Sequence, residues 1–122
     1  MIRDRSDVSS YVTKDGSAVW ELYHPSSSPV KDVSVAEALV APGQETGAHL
    51  HQRSQEIYYV LEGSGRMRVG EESMSVKAGD AVLIIPGAIH NIKNIGAGPL
   101  RILCICSPPY SHDDTALENS TV

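Results

Sequence analysis

Glycine and proline interrupt this sequence so often that no regular element in its body can be long. Between them lie nine short runs of apolar and β-branched residues, at 17–24, 33–41, 48–51, 57–61, 65–69, 73–77, 81–85, 90–94 and 100–106. Turn residues close them: Pro25 and a serine-rich stretch to Pro29, Pro42 with Gly43, Gly70 with Glu71 inside a hairpin, and Pro86 with Gly87. Short strands at such spacing predict an all-β antiparallel fold, a barrel or jelly roll. Only the C-terminus departs. Ser111 and Asp114 form a capping pair ahead of 115–118, which predicts one helical turn there, and 119–122 are expected to fray.

Three of the five histidines and one glutamate sit on this pattern as one metal site. Side chains two apart on a strand share a face, so His49 and His51 approach an ion side by side. The polar stretch 52–55 is long enough for a turn, after which 57–61 reads as the return strand of a hairpin that brings Glu56 beside them. His90 is the distant ligand, placed by the Pro86–Gly87 turn. Imidazole and carboxylate together suit one divalent ion such as Mn, Fe, Ni, Zn or Cu. Histidines satisfied inside a core are the competing reading, but three converging with a carboxylate outweigh it. Such a set also leaves coordination positions open, as chemistry requires and a structural clip does not.

Strand parity extends the reading. Tyr58 and Val60 share the face of Glu56, so Tyr58 either packs or offers its phenol to a substrate; it is the candidate catalytic residue. Ile57, Tyr59 and Leu61 take the other face. A water-facing side would be polar, so this apolar one predicts a cover, either the N-terminal strands or a second subunit. Arg53 and Gln55, in the turn between ligands, are the candidate substrate contacts against the alternative of a solvated loop. Trp20 and His24 share a face of the first strand and are expected to pack, and His112, beside two aspartates, to lie on the surface. Cys104 and Cys106 point the same way from one strand, with Cβ atoms too far apart for a disulfide, and are expected to be reduced apolar filler.

From Gly43 through His49, His51 and Glu56 to Gly63, the spacing resembles the first motif of the cupin superfamily, and the match is complete. Gly79, Pro86, Gly87, His90 and Asn94 match the second motif, with Ile85 where the family often has proline. The resemblance implies a double-stranded β-helix spanning 1–122 as one cupin domain, with core motifs at 43–63 and 79–94 and a tail at 107–122. It also implies a structural role for Asn94 and a homodimer formed by packing sheet faces. The family's activities include isomerases, decarboxylases, lyases and dioxygenases, whose substrates chelate the metal through oxygen atoms.

Composition limits the partners. A net charge of −5 over 122 residues argues against a nucleic-acid partner, which calls for a basic face. No stretch approaches membrane-spanning length, and the first ten residues lack the apolar core of a secretory leader, so a soluble cytoplasmic protein with a small-molecule ligand is expected. Two functions follow. One is an enzyme acting on a small oxygen-rich metabolite, isomerase-like, lyase-like or dioxygenase-like. The other is a binding or sensing module that captures such a molecule without turnover. Sensor modules of this family are usually fused to an output domain, and 122 residues leave no room for one, which favours the enzyme.

Overall fold

In the computed structural model, which describes residues 1–118, all nine expected runs are strands, with ends moved by at most two residues. They are β2 (Ala18–Tyr23), β3 (Ser34–Val40), β4 (His49–His51), β5 (Gln55–Glu62), β6 (Ser64–Val69), β7 (Glu72–Lys77), β8 (Ala81–Ile84), β9 (His90–Asn94) and β10 (Leu100–Ser107). Two were not anticipated: β1 (Tyr11–Val12) and β11 (Thr115–Leu117). Two antiparallel sheets result. One runs β1-β2-β3-β10-β5-β8 and the other β11-β4-β9-β6-β7, so neighbours in the sequence are often in different layers.

That topology corrects the expected hairpin of His49, His51 and Glu56. β4 pairs with β9 and β11, whereas β5 pairs with β10 and β8. The segment after His51 is therefore a crossover between layers, and the carboxylate meets the imidazoles across the barrel interior. The hairpin of β6 and β7 does form, with Val69 opposite Glu72 and Gly70 at φ +60° supplying the left-handed backbone of the tight turn.

The expected helical turn at 115–118 is also overturned. Thr115–Leu117 pairs antiparallel with His49–His51. Ser111 precedes a short 3-10 turn, His112–Asp114, but its side chain makes no capping bond. The Asp114 carboxylate is buried instead, and takes backbone N–H bonds from Arg53 at 3.0 Å and Ser54 at 3.1 Å. An open sheet edge with unpaired N–H groups outweighed a weak local helix signal. Residues 119–122, expected to fray, lie outside the described residues.

Between the sheets pack Val40, Val60, Met67, Ile84, Ile92, Leu100 and Ile102, all nearly inaccessible to water. Truncating side chains of this kind to alanine typically costs about 2–5 kcal/mol. Gly63, the last residue of the first motif, stands at φ +90°, and a Cβ there would lie 2.5 Å from the Pro99 carbonyl oxygen. No side chain fits at that position. Asn94 is buried and donates to the carbonyls of Val40 and Gly98, both at 2.9 Å, while accepting from the Gly96 N–H. It stitches the loop before β10, as a structural residue would.

Parity along β5 is as expected: Glu56, Tyr58 and Val60 are buried, while Ile57, Tyr59 and Leu61 are 38–40% exposed. The N-terminal strands do not cover that outer face, because β1 and β2 extend the same sheet sideways. The N-terminal segment gives local cover nearer β2, where Arg5 lies 4.7 Å over the Trp20 ring and, with Arg101, neutralises the buried Glu37. Leu103 and Ile105 flank Tyr59 and Ile57 in register, and Leu83 continues the apolar surface on β8.

Candidate metal centre

Each histidine of the cluster is oriented by a hydrogen bond at Nδ1. His49 Nδ1 lies 2.8 Å from the Gly47 carbonyl, and His90 Nδ1 lies 2.9 Å from that of Ala88. A carbonyl only accepts, so both rings carry their proton on Nδ1 and turn an Nε2 lone pair inward. His51 reaches the same state less directly. Its Nδ1 lies 3.0 Å from the Thr115 hydroxyl, which donates its own proton to the Ser111 carbonyl at 2.8 Å and is left to accept. β11 thus sets the tautomer of a residue sixty-four positions away.

The inward atoms converge. Glu56 Oε1 lies 3.0 Å from His51 Nε2 and 3.3 Å from His90 Nε2, and one ligand atom from each of His49, His51, Glu56 and His90 lies within 4.8 Å of the others. All four residues are buried. His90 Nε2 is shielded from water and has no hydrogen-bond partner. Lone pairs meeting without protons between them are what a cation site offers, and bonds of about 2.0–2.2 Å from a divalent ion to nitrogen and oxygen span such a gap. The donor set fits that group.

Electrostatics prepare the ligands. Burial pushes the Glu56 carboxyl up, but its contact with the His51 and His90 rings outweighs burial and holds the group at about 2, ionised and able to ligate. Burial, with repulsion from His90, lowers the His49 pKa against the pull of Asp15, so its imidazole stays neutral and able to ligate. The other carboxylate oxygen, Oε2, accepts from the Cys106 thiol at 3.1 Å. That thiol stays protonated, pushed up by burial and then by the Glu56 charge. Burial likewise keeps the Tyr58 phenol and the Cys104 thiol protonated.

A chamber of about 50 Å³ opens beside the cluster. Apolar residues of β3, β9 and β10, among them Ala38, Ile92 and Ile102, line one part, and Tyr58, Thr115, Tyr110 and Asp15 line the rest. Pockets for drug-sized ligands measure roughly 300–1,000 Å³, so this one suits a much smaller molecule. Tyr58 faces inward, its ring 5.8 Å from that of His90.

Arg53 and Gln55 are not brought to the chamber. Gln55 is exposed because its parity is opposite to that of Glu56, and the Arg53 side chain is 80% exposed, its Nε 3.4 Å from Asp114. Arg53, in the crossover, and Gln55, at the start of β5, both face solvent. His112 is exposed as expected. Trp20 packs under Arg5, and His24 bonds the Tyr110 carbonyl at 2.9 Å. Cys104 and Cys106 are free thiols, but Cys106 is more than filler, since it bonds a member of the cluster. Thr115, Asp15 and Cys106 were missed as site residues. Their partners lie across sheet pairings and loops with no local sequence signal; Cys106 faces Glu56 only through the β10–β5 register.

Two antiparallel sheets closed over an inward-facing set of three imidazoles and one carboxylate define a small β-barrel protein with a candidate metal centre. The chain belongs to the cupin family, whose domain matches residues 36–106. It is 48% identical over 110 residues to an uncharacterised protein of Methanocaldococcus jannaschii, covering 90% of this chain and 88% of that one. An oxalate-binding protein of Thermotoga maritima is 34% identical over 70 residues, covering 57% of this chain and 58% of the relative. The crystal structure of a predicted oxalate decarboxylase from the same organism superposes with a TM-score of 0.78 at 25% identity, covering 88% of this chain and 99% of the other.

Proposed function

We propose that this protein is a metal-dependent enzyme acting on a small oxygen-rich metabolite, such as a sugar, sugar acid or keto acid, by isomerase, lyase or oxygenase chemistry. The observation that carries the proposal is the convergence of three oriented Nε2 lone pairs and an ionised Glu56 at the wall of a small chamber. A bound divalent ion would supply Lewis acidity or oxygen activation there. Around it, Glu56 balances charge, Cys106 restrains the carboxylate from its far side, and the protonated Tyr58 donates to a substrate oxygen. Apolar walls on β3, β9 and β10 limit water around the reacting groups.

The same reading places the protein in the cytoplasm as one cupin domain that pairs with a second copy. Support for pairing comes from the outer face, where Ile57, Tyr59, Leu61 and Leu83 form an apolar surface that the described residues leave 38–60% exposed.

The test begins with elemental analysis of protein purified without a tag, which should find one divalent ion per chain. His51→Ala combined with His90→Ala should abolish it, and full occupancy in that variant would overturn the site. A thermal-shift screen of sugars and organic acids then supplies a substrate. Tyr58→Phe should keep the metal and melting temperature but lower turnover, by about 10²-fold or more if the phenol transfers a proton and less if it only positions the substrate. Unchanged turnover would remove Tyr58 from the mechanism.

A further inference from the structure

The chamber beside the metal cluster is lined by three carboxylates, and no lysine or arginine among the described residues lines it. Besides Glu56, the acids are Asp15, in the turn between β1 and β2, and Glu21, which β2 directs inward. The neighbouring cations are engaged elsewhere. Lys14 bonds the carbonyls of His112 and Thr115, at 3.1 and 2.7 Å, and the Arg53 side chain is 80% exposed.

Asp15 is the informative group, because its side chain is only 9% exposed and its two oxygens differ. Oδ1 accepts from the Thr13 hydroxyl at 2.6 Å, the Ser17 hydroxyl at 2.7 Å and the Ser17 N–H at 2.9 Å. Those bonds fix the carboxylate plane. Oδ2 is left without a hydrogen bond among the described residues and faces His49 Nε2 at 3.8 Å. The turn itself is anchored, since the Gly47 N–H donates to the Asp15 carbonyl at 2.7 Å. Oδ2, on a residue that lines the chamber and accepting nothing from the described residues, is open to a donor on a ligand held there. Glu21 accepts from the Tyr11 hydroxyl at 3.1 Å and adds a further negative charge to the chamber.

A divalent cation with three carboxylates leaves the chamber at net negative charge. A dianion would deepen that charge with no cationic side chain to meet it, whereas a neutral hydroxyl compound would leave it unchanged and donate to Asp15. We infer that the ligand is a small neutral compound with a hydroxyl beside a chelating oxygen, an α-hydroxycarbonyl or vicinal diol of a few carbons. Asp15 is the residue that selects it, by accepting the hydroxyl and repelling dianions. The inference rests on the metal reading proposed above, narrows its range to the uncharged members, and separates this site from one built for oxalate.

The experiment titrates cobalt-loaded full-length protein with dihydroxyacetone and with oxalate, reading the visible cobalt spectrum and the melting temperature. Dihydroxyacetone should act at a concentration roughly tenfold or more below that of oxalate. Asp15→Asn should reverse that preference: its amide oxygen stays at the Thr13 and Ser17 donors, so its NH2 replaces Oδ2 and offers a donor where an acceptor stood. Should Asp15→Asn disturb the turn, Glu21→Gln removes one chamber charge from a strand position and should move the ratio toward oxalate as well. Cobalt bound with oxalate preferred, no response to dihydroxyacetone, or a ratio unmoved by both substitutions would overturn the inference alone. Failure to bind cobalt would overturn the metal reading and the inference with it.

Discussion

Replacing Thr115 with valine isolates the contact by which the C-terminal strand sets the chemistry of His51. Valine nearly matches threonine in shape, so the position, only 4% exposed, keeps its packing and loses one hydroxyl. That hydroxyl serves two partners, the Ser111 carbonyl at 2.8 Å and His51 Nδ1 at 3.0 Å. A buried polar group left without a partner costs about 1–3 kcal/mol. Ser111 is only half-buried and its carbonyl recovers water, so the metal-free protein should lose about 2 kcal/mol, mostly from the orphaned imidazole N–H. The second loss is in metal binding. Without an acceptor at Nδ1 the ring proton is free to move to Nε2, the atom that must ligate, and removing such a partner weakens metal affinity by about 10–100-fold. Chelator competition measures that change, and urea unfolding of the metal-free protein measures the first. Thr115→Ser keeps the hydroxyl and should restore the affinity. A valine variant that binds metal as tightly as the parent, or a serine variant as weak as valine, would show that Thr115 does not control the tautomer.

The outer face and the acid response provide two further tests. Tyr59→Asp places a charge amid Ile57, Leu61, Leu83 and Leu103 without touching the barrel interior, so it should convert a dimer to a folded monomer by light scattering; a parent protein that is already monomeric would refute the dimer. The metal-free protein should weaken in acid in two stages. His49 has a folded pKa below its ordinary 6.5, so the unfolded chain takes the proton first and stability, complete above 6.5, declines as pH falls through the lower folded value. Glu56, at about 2 against 4.5, adds a further loss that begins near 4.5 and continues toward 2. A urea midpoint flat from about pH 7 to about 2 would contradict both signs.

The succession of strands and the identity of the four candidate ligands were legible along the chain because both depend on local rules. Turn residues punctuate, parity alternates, and the His-x-His, Glu and distant His pattern survives any arrangement of the pieces that brings them together. Those rules also separated Tyr58 from Tyr59 correctly. Sheet partnership was not local. Nothing within 48–61 distinguishes a hairpin from a crossover, since the choice depends on whether β10 and β8 or β4 offers β5 its hydrogen bonds. The C-terminal segment shows the same limit, because Thr115–Leu117 is a strand only where the edge of β4 awaits a partner.

What the sequence determined by itself is therefore the set of side chains able to hold a metal and the face from which each projects. Tertiary structure alone decided the proton on His51, the thiol bond to Glu56 and the open oxygen of Asp15, through contacts separated by 64, 50 and 34 positions. The physical reason is range. Backbone stereochemistry and side-chain alternation act over a few residues, whereas a tautomer, a hydrogen-bond partner or the charge of a chamber depends on whichever groups folding brings within a few ångströms.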